Sequence, residues 1–151
     1  MLPIIILLPL ILGTTLVSLL KQSSRRLTAF AAVGVSMTSL GLLLTQAREV
    51  FNGAVITQSW SWLPQLGIDF SFRLDALGLL FALLISGIGT LIYIYAYFYL
   101  GPKNSLNKLY LLLMLFMAAM LGISLSNNLI LLLVFWELTS ICLLYTSDAA
   151  D

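Results

Sequence analysis

The sequence contains no histidine and only one cysteine, Cys142. Without histidine, the chain has no imidazole that could hold a metal ion or carry protons. A single cysteine excludes a disulfide within the chain and a paired-cysteine metal motif. The sequence also lacks a basic patch with interleaved aromatic residues, the usual mark of a nucleic-acid partner. We therefore predict no cofactor, no metal site and no nucleic-acid partner.

Charged residues are scarce as well. They make up 9% of the chain, whereas soluble domains carry roughly 25%. Hydrophobic residues account for 61%, and the mean hydropathy is +1.08. This composition excludes an ordinary soluble domain and predicts a multi-pass integral membrane protein, embedded in the lipid bilayer. Residues 1–20 are apolar from the start, with no preceding basic segment and no small-residue cleavage site. We therefore expect a retained membrane helix there, not a signal peptide.

Five apolar segments approach the length of about 20 residues that crosses a bilayer as a helix. Helices are the expected form, because backbone polar groups have to be hydrogen-bonded internally in lipid. The predicted fold class is an all-α polytopic membrane protein with five transmembrane helices. The segments are 2–20, 27–44, 74–100, 109–125, and one that starts near Asn128 and runs past Glu137.

The segment between the second and third predicted helices has a different pattern. Large and small or polar residues alternate at 56–62 and again at 68–72, and the turn-rich stretch 63–67 separates them. This pattern predicts a short extracytoplasmic β-hairpin over the outer face of the helices. Its two tryptophans fit an aromatic belt at the membrane interface, and we assign the same role to four tyrosines near the end of the third helix. These six residues are Trp60, Trp62, Tyr93, Tyr95, Tyr97 and Tyr99.

The distribution of basic residues predicts an orientation. The loops after the first and third predicted helices hold five of them: Lys21, Arg25, Arg26, Lys103 and Lys108. On the opposite side, Arg48 and Arg73 are accompanied by acidic residues. By the positive-inside rule, the two lysine-containing loops are cytoplasmic. The N-terminus and the segment 45–73 are then extracytoplasmic.

One acidic residue, Glu137, interrupts the fifth apolar segment. It lies nine residues into that helix, about 13.5 Å deep at 1.5 Å per residue, near the middle of a hydrocarbon core about 30 Å thick. A charge there costs roughly 2.5–3.5 kcal/mol on insertion scales, so such a group is paired, hydrated or used in transport. We predict that Glu137 is a buried mid-membrane proton relay. The alternative is a structural hydrogen bond or ion pair between helices.

Three further residues are candidates for an accessory role. Asp75 lies at the outer end of the third helix, where we expect an interfacial acid favoured by the helix dipole; ion entry is the weaker interpretation. Thr139 and Ser140 follow Glu137 and are candidates either for hydrogen bonds to it or for polar contacts between helices. The small residues in 86–90 and 118–122 indicate close helix packing.

Several stretches, taken in order, resemble one family. They are 62–75, 79–90, 114–122 and Phe135-Trp-Glu-Leu-Thr-Ser-Ile141. Together they resemble the A subunit of the Mrp-type multisubunit Na⁺/H⁺ antiporter, whose superfamily includes the antiporter-like proton-pumping subunits of respiratory complex I. The Trp136-Glu137 pair alone does not separate the two branches. The continuation Leu-Thr-Ser-Ile and the Met-rich fourth helix favour the Mrp branch. Asp75-Ala-Leu-Gly78 departs from the family's Asp-Gly-Leu-Ser but keeps the acid.

The resemblance implies a larger subunit in which the Glu that matches Glu137 is coupled to a Lys on a later helix, beyond this chain. It implies the cell (inner) membrane as the location and other membrane subunits as partners, with protons and monovalent cations as the transported species. The expected function is a proton-translocating, non-enzymatic subunit of a Na⁺/H⁺ antiporter, and the fragment is expected to be inactive alone. Two alternatives are a proton-pumping subunit of NADH:quinone oxidoreductase and a purely structural membrane subunit.

The last ten residues change in character. Residues 142–151 include two of the six acids, where the resemblance implies a continuing apolar helix. One set of codons for this stretch matches a transposase-based sequencing adapter read in frame. We therefore expect 1–141 to be the N-terminal part of an antiporter-like membrane domain and 142–151 to be a non-native tail. The alternative is an unusual native helix end.

Overall fold

The computed structural model describes residues 2–20, 24–101 and 106–148, without the side chains of Trp62, Leu106, Ser147 and Asp148. Within these residues, five helices of membrane-spanning length accompany one two-stranded sheet. The helices are α1 (Leu2–Leu19), α2 (Arg25–Phe51), α3 (Ala76–Tyr99), α4 (Leu106–Leu125) and α5 (Leu129–Asp148); the strands are β1 (Ile56–Leu63) and β2 (Ile68–Leu74). The predicted fold class, including the hairpin between the second and third helices, is confirmed.

Helix α2 is longer than predicted, because it continues through Phe51 instead of ending near Leu44. The added turns contain Arg48 and Glu49, which are both exposed. Charged side chains there suggested a loop, but they do not interrupt the backbone hydrogen bonds of a helix. The helix ends where the Gly53 N–H donates to the Val50 carbonyl at 3.0 Å. Gly53 has a φ of 86°, a left-handed conformation that glycine adopts without a steric penalty.

Helix α1 has a π-helical stretch, Leu8–Gly13, which contains Pro9. Proline has no N–H, so in an α-helix the carbonyl four residues earlier, that of Ile5, loses its donor. The buried hydroxyl of Ser39 on α2 lies 3.5 Å from this carbonyl and donates to it. A neighbouring helix thereby supplies a polar partner for a carbonyl that cannot find water in lipid.

The hairpin pairs β1 with β2 in an antiparallel register, with an irregularity between Ser61 and Leu63. Its turn ends at Gly67, with a φ of 64°. The hairpin is hydrogen-bonded to two other parts of the chain. The Gln58 side chain accepts from the Leu2 N–H at 3.0 Å, and the Ser71 carbonyl accepts from the Asn127 N–H at 2.9 Å. The hairpin therefore connects the start of α1 with the turn between α4 and α5.

Helix α4 is central to the core and contacts the other four helices. Its residues Met114, Ala118 and Leu121 have no exposed surface. Small residues allow this packing, as the sequence predicted. A Cβ built on Gly13 would lie 2.8 Å from the Met114 sulfur, and one built on Gly122 would lie 2.4 Å from the ring of Phe135 on α5. Neither position has room for a larger side chain without displacing its neighbour.

Polar contacts inside the bundle join α2 to α3. The hydroxyls of Ser36 and Thr90 are both buried and lie 2.6 Å apart. Thr90 also donates to the Ser86 carbonyl of its own helix at 2.8 Å. The small-residue stretch 86–90 is thus a packing surface, as predicted, with a hydrogen bond across it.

The tyrosines at the end of α3 do not all have the role that the sequence suggested. Tyr95 and Tyr99 are exposed, as an interfacial belt requires, and their rings stack on each other at 5.1 Å. Tyr93 is only 1% exposed, so the prediction that it belongs to the belt is wrong. Its ring packs edge-on against Tyr110, and the Tyr110 hydroxyl donates to its carbonyl at 2.9 Å. Alternate residues of a helix lie on different faces, which explains why the four tyrosines differ.

Replacing Gly122 with alanine is expected to destabilise the protein by about 1–3 kcal/mol, because the new methyl group would overlap the Phe135 ring. The measurement is the unfolding temperature of the purified full-length protein. Gly87→Ala is the control, since a Cβ there meets nothing within 4 Å. The additional change Phe135→Ala should recover part of the loss, and equal stability of the two glycine variants would contradict the packing account.

Candidate functional site

Glu137 lies on the outward-facing side of α5 and is exposed in the described chain. Its neighbour Trp136 is 59% exposed, and Leu133 and Leu144 are each 61% exposed. The five helices therefore do not bury the carboxylate among themselves, and its burial at mid-membrane stays a prediction. Glu137 is eight residues beyond the first residue of α5, about 12 Å along the helix axis.

The direction of Glu137 follows from how α5 packs. Residues facing the bundle recur at helical spacing: Leu131, Phe135, Thr139 and Cys142. Phe135 packs on Gly122 and lies 6.5 Å, centroid to centroid, from the ring of Phe72 in the hairpin. Two residues turn an α-helix by about 200°. Glu137 consequently lies on the side of α5 opposite to Phe135, away from α4.

Among residues 2–20, 24–101 and 106–148, no basic side chain lies within ion-pairing distance of Glu137. The described basic residues are all at helix ends or in the hairpin: Arg25, Arg26, Arg48, Arg73 and Lys108. Lys21 and Lys103, which supported the orientation prediction, lie outside the described residues. A cationic partner for Glu137 therefore does not come from the described part of this chain.

Thr139 and Ser140 do not form a site with Glu137. Thr139 is buried and donates to the Trp136 carbonyl at 2.6 Å. Ser140 is exposed and donates to the same carbonyl at 3.4 Å. Both hydroxyls therefore bond to the backbone of their own helix. Ser140 remains on the exposed side of α5 with Glu137, whereas Thr139 faces the bundle.

Asp75 is the N-cap residue of α3. Its carboxylate accepts the Gly78 N–H at 2.8 Å, and its other oxygen lies 3.6 Å from the Arg73 side chain. An acid at this position is favoured by the positive end of the helix dipole, as the sequence predicted. Asp75 is at the hairpin end of the molecule, and Glu137 is about two helical turns deeper. The structure thus does not bring Asp75 and Glu137 together.

Gly122 and Phe135 are the residues that sequence reasoning missed as determinants of the site. They carry no reactive group, but their contact sets the rotation of α5 and so the direction of the carboxylate. The available signal was the glycine in a small-residue stretch of α4. Its partner could not be named, because several aromatic residues on other elements were equally eligible.

The comparisons with known proteins agree on one group. A model of the complex I family, "NADH-Ubiquinone oxidoreductase (complex I), chain 5 N-terminus", matches residues 60–110. The chain is 42% identical over 134 residues to the A subunit of the Na⁺/H⁺ antiporter of Alkalihalophilus pseudofirmus, a match that covers 88% of the chain. It is 39% identical over 140 residues to the A1 subunit of the Na⁺/H⁺ antiporter of Staphylococcus aureus, which covers 93% of it. The chain is thus similar, over nearly its whole length, to antiporter-like membrane subunits.

Solved structures support this assignment. The Mrp complex from Dietzia sp. contains a chain that matches with a TM-score of 0.78 and 26% identity, over 93% of this chain and 15% of that one. The archaeal membrane-bound sulfane sulfur reductase matches with a TM-score of 0.72 over 93% of this chain and 21% of that one; at 23% identity it supports the fold alone. The family resemblance read from the sequence is confirmed.

The chain spans only a small part of these relatives, 17% and 18% of the two curated antiporter subunits. The matches nevertheless extend over nearly the whole length of this chain, both to these relatives and to a chain of the Mrp complex. Together with its five helices of membrane-spanning length, this similarity identifies the described chain as a membrane protein.

Two substitutions of Asp75 distinguish a structural role of this residue from a role in ion transport. Asp75→Ala should lower stability by about 1 kcal/mol, because the helix cap is lost, whereas Asp75→Asn should retain the cap. The exposed ion pair with Arg73 contributes little. Unfolding temperature and ion-transport rate would be measured for both variants of the full-length protein. A normally stable Asp75→Asn protein with little transport would show that the charge itself is needed for ion entry.

Proposed function

We propose that this chain is part of a proton-translocating membrane subunit of a multisubunit Na⁺/H⁺ antiporter, and that Glu137 relays protons. The observation that carries the proposal is the position of Glu137, an acid in the middle of an apolar helix, on a face that the described helices leave open. The similarity to curated A subunits of Na⁺/H⁺ antiporters supports the transport class. The subunit is a transporter component, not a catalytic enzyme.

The physical argument starts from the cost of the charge. An ionised carboxylate facing hydrocarbon at this depth costs roughly 2.5–3.5 kcal/mol on insertion scales. The described helices offer no basic partner to offset that cost. The side of α5 that carries Glu137 therefore has to be covered, either by protein that supplies a cation or by a hydrated cavity. The family resemblance implies a Lys on a later helix, which meets the requirement. A carboxylate between a cation and water is suited to take up and release protons.

The remaining parts of the proposal concern orientation and partners. We infer that the hairpin end is extracytoplasmic, in line with the positive-inside rule. Arg25, Arg26 and Lys108 then lie at the cytoplasmic end. The partners are other membrane subunits, and the transported species are protons and sodium ions. The five helices alone are expected to transport nothing, since the open face of α5 lacks its cover.

The second candidate is a proton-pumping subunit of NADH:quinone oxidoreductase. The observation in its favour is the match of residues 60–110 to a complex I family model. The two candidates differ in the source of energy. Proton movement driven by a sodium gradient without NADH supports the antiporter, and strict dependence on NADH supports complex I.

The main experiment is Glu137→Gln in the full-length protein, assembled with its partner subunits in inverted membrane vesicles. Sodium-driven proton flux should fall at least ten-fold, because the amide cannot exchange a proton. Glu49→Gln is the matched control, since Glu49 is an exposed acid in the last turn of α2. It should leave the flux essentially unchanged.

Interpreting this experiment requires a measurement of complex assembly as well as of proton flux. Normal assembly with unchanged flux in Glu137→Gln would mean that the carboxylate has no relay role, which favours a purely structural subunit. Glu137→Asp keeps a carboxylate of shorter reach and should retain part of the flux. Loss of the complex in Glu137→Gln, with rescue of assembly by Glu137→Asp, would instead identify a structural ion pair.

We also propose that residues 142–151 are not native. Helix α5 runs without a break through Asp148, so no change of backbone coincides with residue 142. Sequencing the source DNA from a library prepared without a transposase should reveal an apolar continuation after Ile141. The same ten codons followed by a stop would overturn the proposal.

A further inference from the structure

An open groove of about 470 Å³ lies between the first turns of α2 and the last turns of α3. Its walls are almost wholly apolar and include Phe30, Val33, Ile94 and Phe98. Arg26 contributes a positive charge at the end of the groove that lies by the first turn of α2. Phe30 is 77% and Phe98 79% exposed, so the groove opens toward whatever surrounds the bundle. In a membrane, that surrounding is lipid or protein, including the later helices that the family resemblance implies.

The neighbouring arginine, Arg25, is already engaged. It donates to the carbonyl of Tyr97 at 3.1 Å and to that of Leu100, and it lies 5.6 Å from the centre of the Tyr97 ring. Arg25 thereby offsets the negative C-terminal end of α3. Arg26 has no such partner among the described residues, and no acidic side chain lines the groove. The Arg26 end of the groove consequently has a net positive charge.

The position of the groove sets its depth in the membrane. Arg26 is in the first turn of α2 and Phe98 is in the last turn of α3, so this end is at the membrane–water boundary. Tyr95 and Tyr99, exposed and stacked, are at the same level, where amphipathic rings are favoured. Val33 is seven residues beyond Arg26, about 10.5 Å deeper. The groove therefore runs from this membrane–water boundary into roughly the nearest third of a 30 Å hydrocarbon core.

We infer that this groove is a binding site for one anionic phospholipid. The phosphate group pairs with Arg26, and the upper part of an acyl chain lies along Phe30, Val33 and Ile94. Basic pockets between membrane helices are suited to anionic headgroups. A protein helix is a poorer fit, because the groove is short and a membrane helix makes contacts along the whole bilayer. The inference does not depend on the transport role of Glu137.

The test is native mass spectrometry of the complete natural protein with its partner subunits, titrated with phosphatidylglycerol or with phosphatidylcholine of the same acyl chains. Two variants address the groove. Arg26→Gln removes the headgroup contact, and Val33→Trp fills the acyl-chain part. Two controls on the same helix match them in charge and in bulk, Arg48→Gln and Leu44→Trp, since both residues are exposed and outside the groove.

The unaltered protein should retain at least one phosphatidylglycerol per copy of this chain, bound about five-fold more tightly than phosphatidylcholine. Arg26→Gln should abolish that preference, Val33→Trp should remove the site for both lipids, and the controls should change neither. Equal losses in Arg26→Gln and Arg48→Gln would overturn the site in favour of diffuse surface charge. No effect of Val33→Trp would overturn the acyl-chain contact. Lipid binding that is unchanged in all four variants would overturn the proposal and indicate that a protein neighbour occupies the groove.

Discussion

The contact between the Phe135 ring and the backbone of Gly122 sets the rotation of α5, and the character of the candidate site follows from it. With Phe135 held against α4, helical geometry directs Glu137 to the opposite side. Leu133, Trp136 and Leu144 are exposed on the same helix. A contact between two residues without reactive groups thus determines whether the acid in the middle of the helix faces the bundle or its surroundings.

The hairpin end of the molecule restrains the same helix from a second direction. The Ser71 carbonyl accepts from Asn127, and the Asn128 side chain donates to the Asp69 carbonyl, so the turn before α5 is hydrogen-bonded to β2. Phe72 of the same strand lies beside Phe135. Because the start of α5 and its bundle-facing side are both held, neither axial sliding nor rotation of the helix is free. The hairpin therefore acts as a brace between helices that are distant in sequence.

Hydropathy and residue alternation were sufficient to predict five helices and a hairpin, because lipid leaves the backbone few alternatives. The end of α2 was missed, since Arg48 and Glu49 resemble a loop although a helix at the interface tolerates them. The family could be recognised from motifs. The direction of Glu137 could not be predicted, because apolar residues occur on every side of α5 and only a tertiary contact selects the inner one. The burial of Tyr93 was hidden for the same reason.

The outward direction of Glu137 also bears on how such a chain enters the membrane during synthesis. Helix α5 has many leucines, each of which favours partitioning into lipid, and one acid near its middle that opposes it. In the described parts of the preceding four helices, no basic side chain lies within ion-pairing distance of that acid. Insertion of α5 is then cheapest with the carboxylate protonated, or with the helix retained beside the translocation channel. The order in which helices leave that channel thus becomes part of how the site is built.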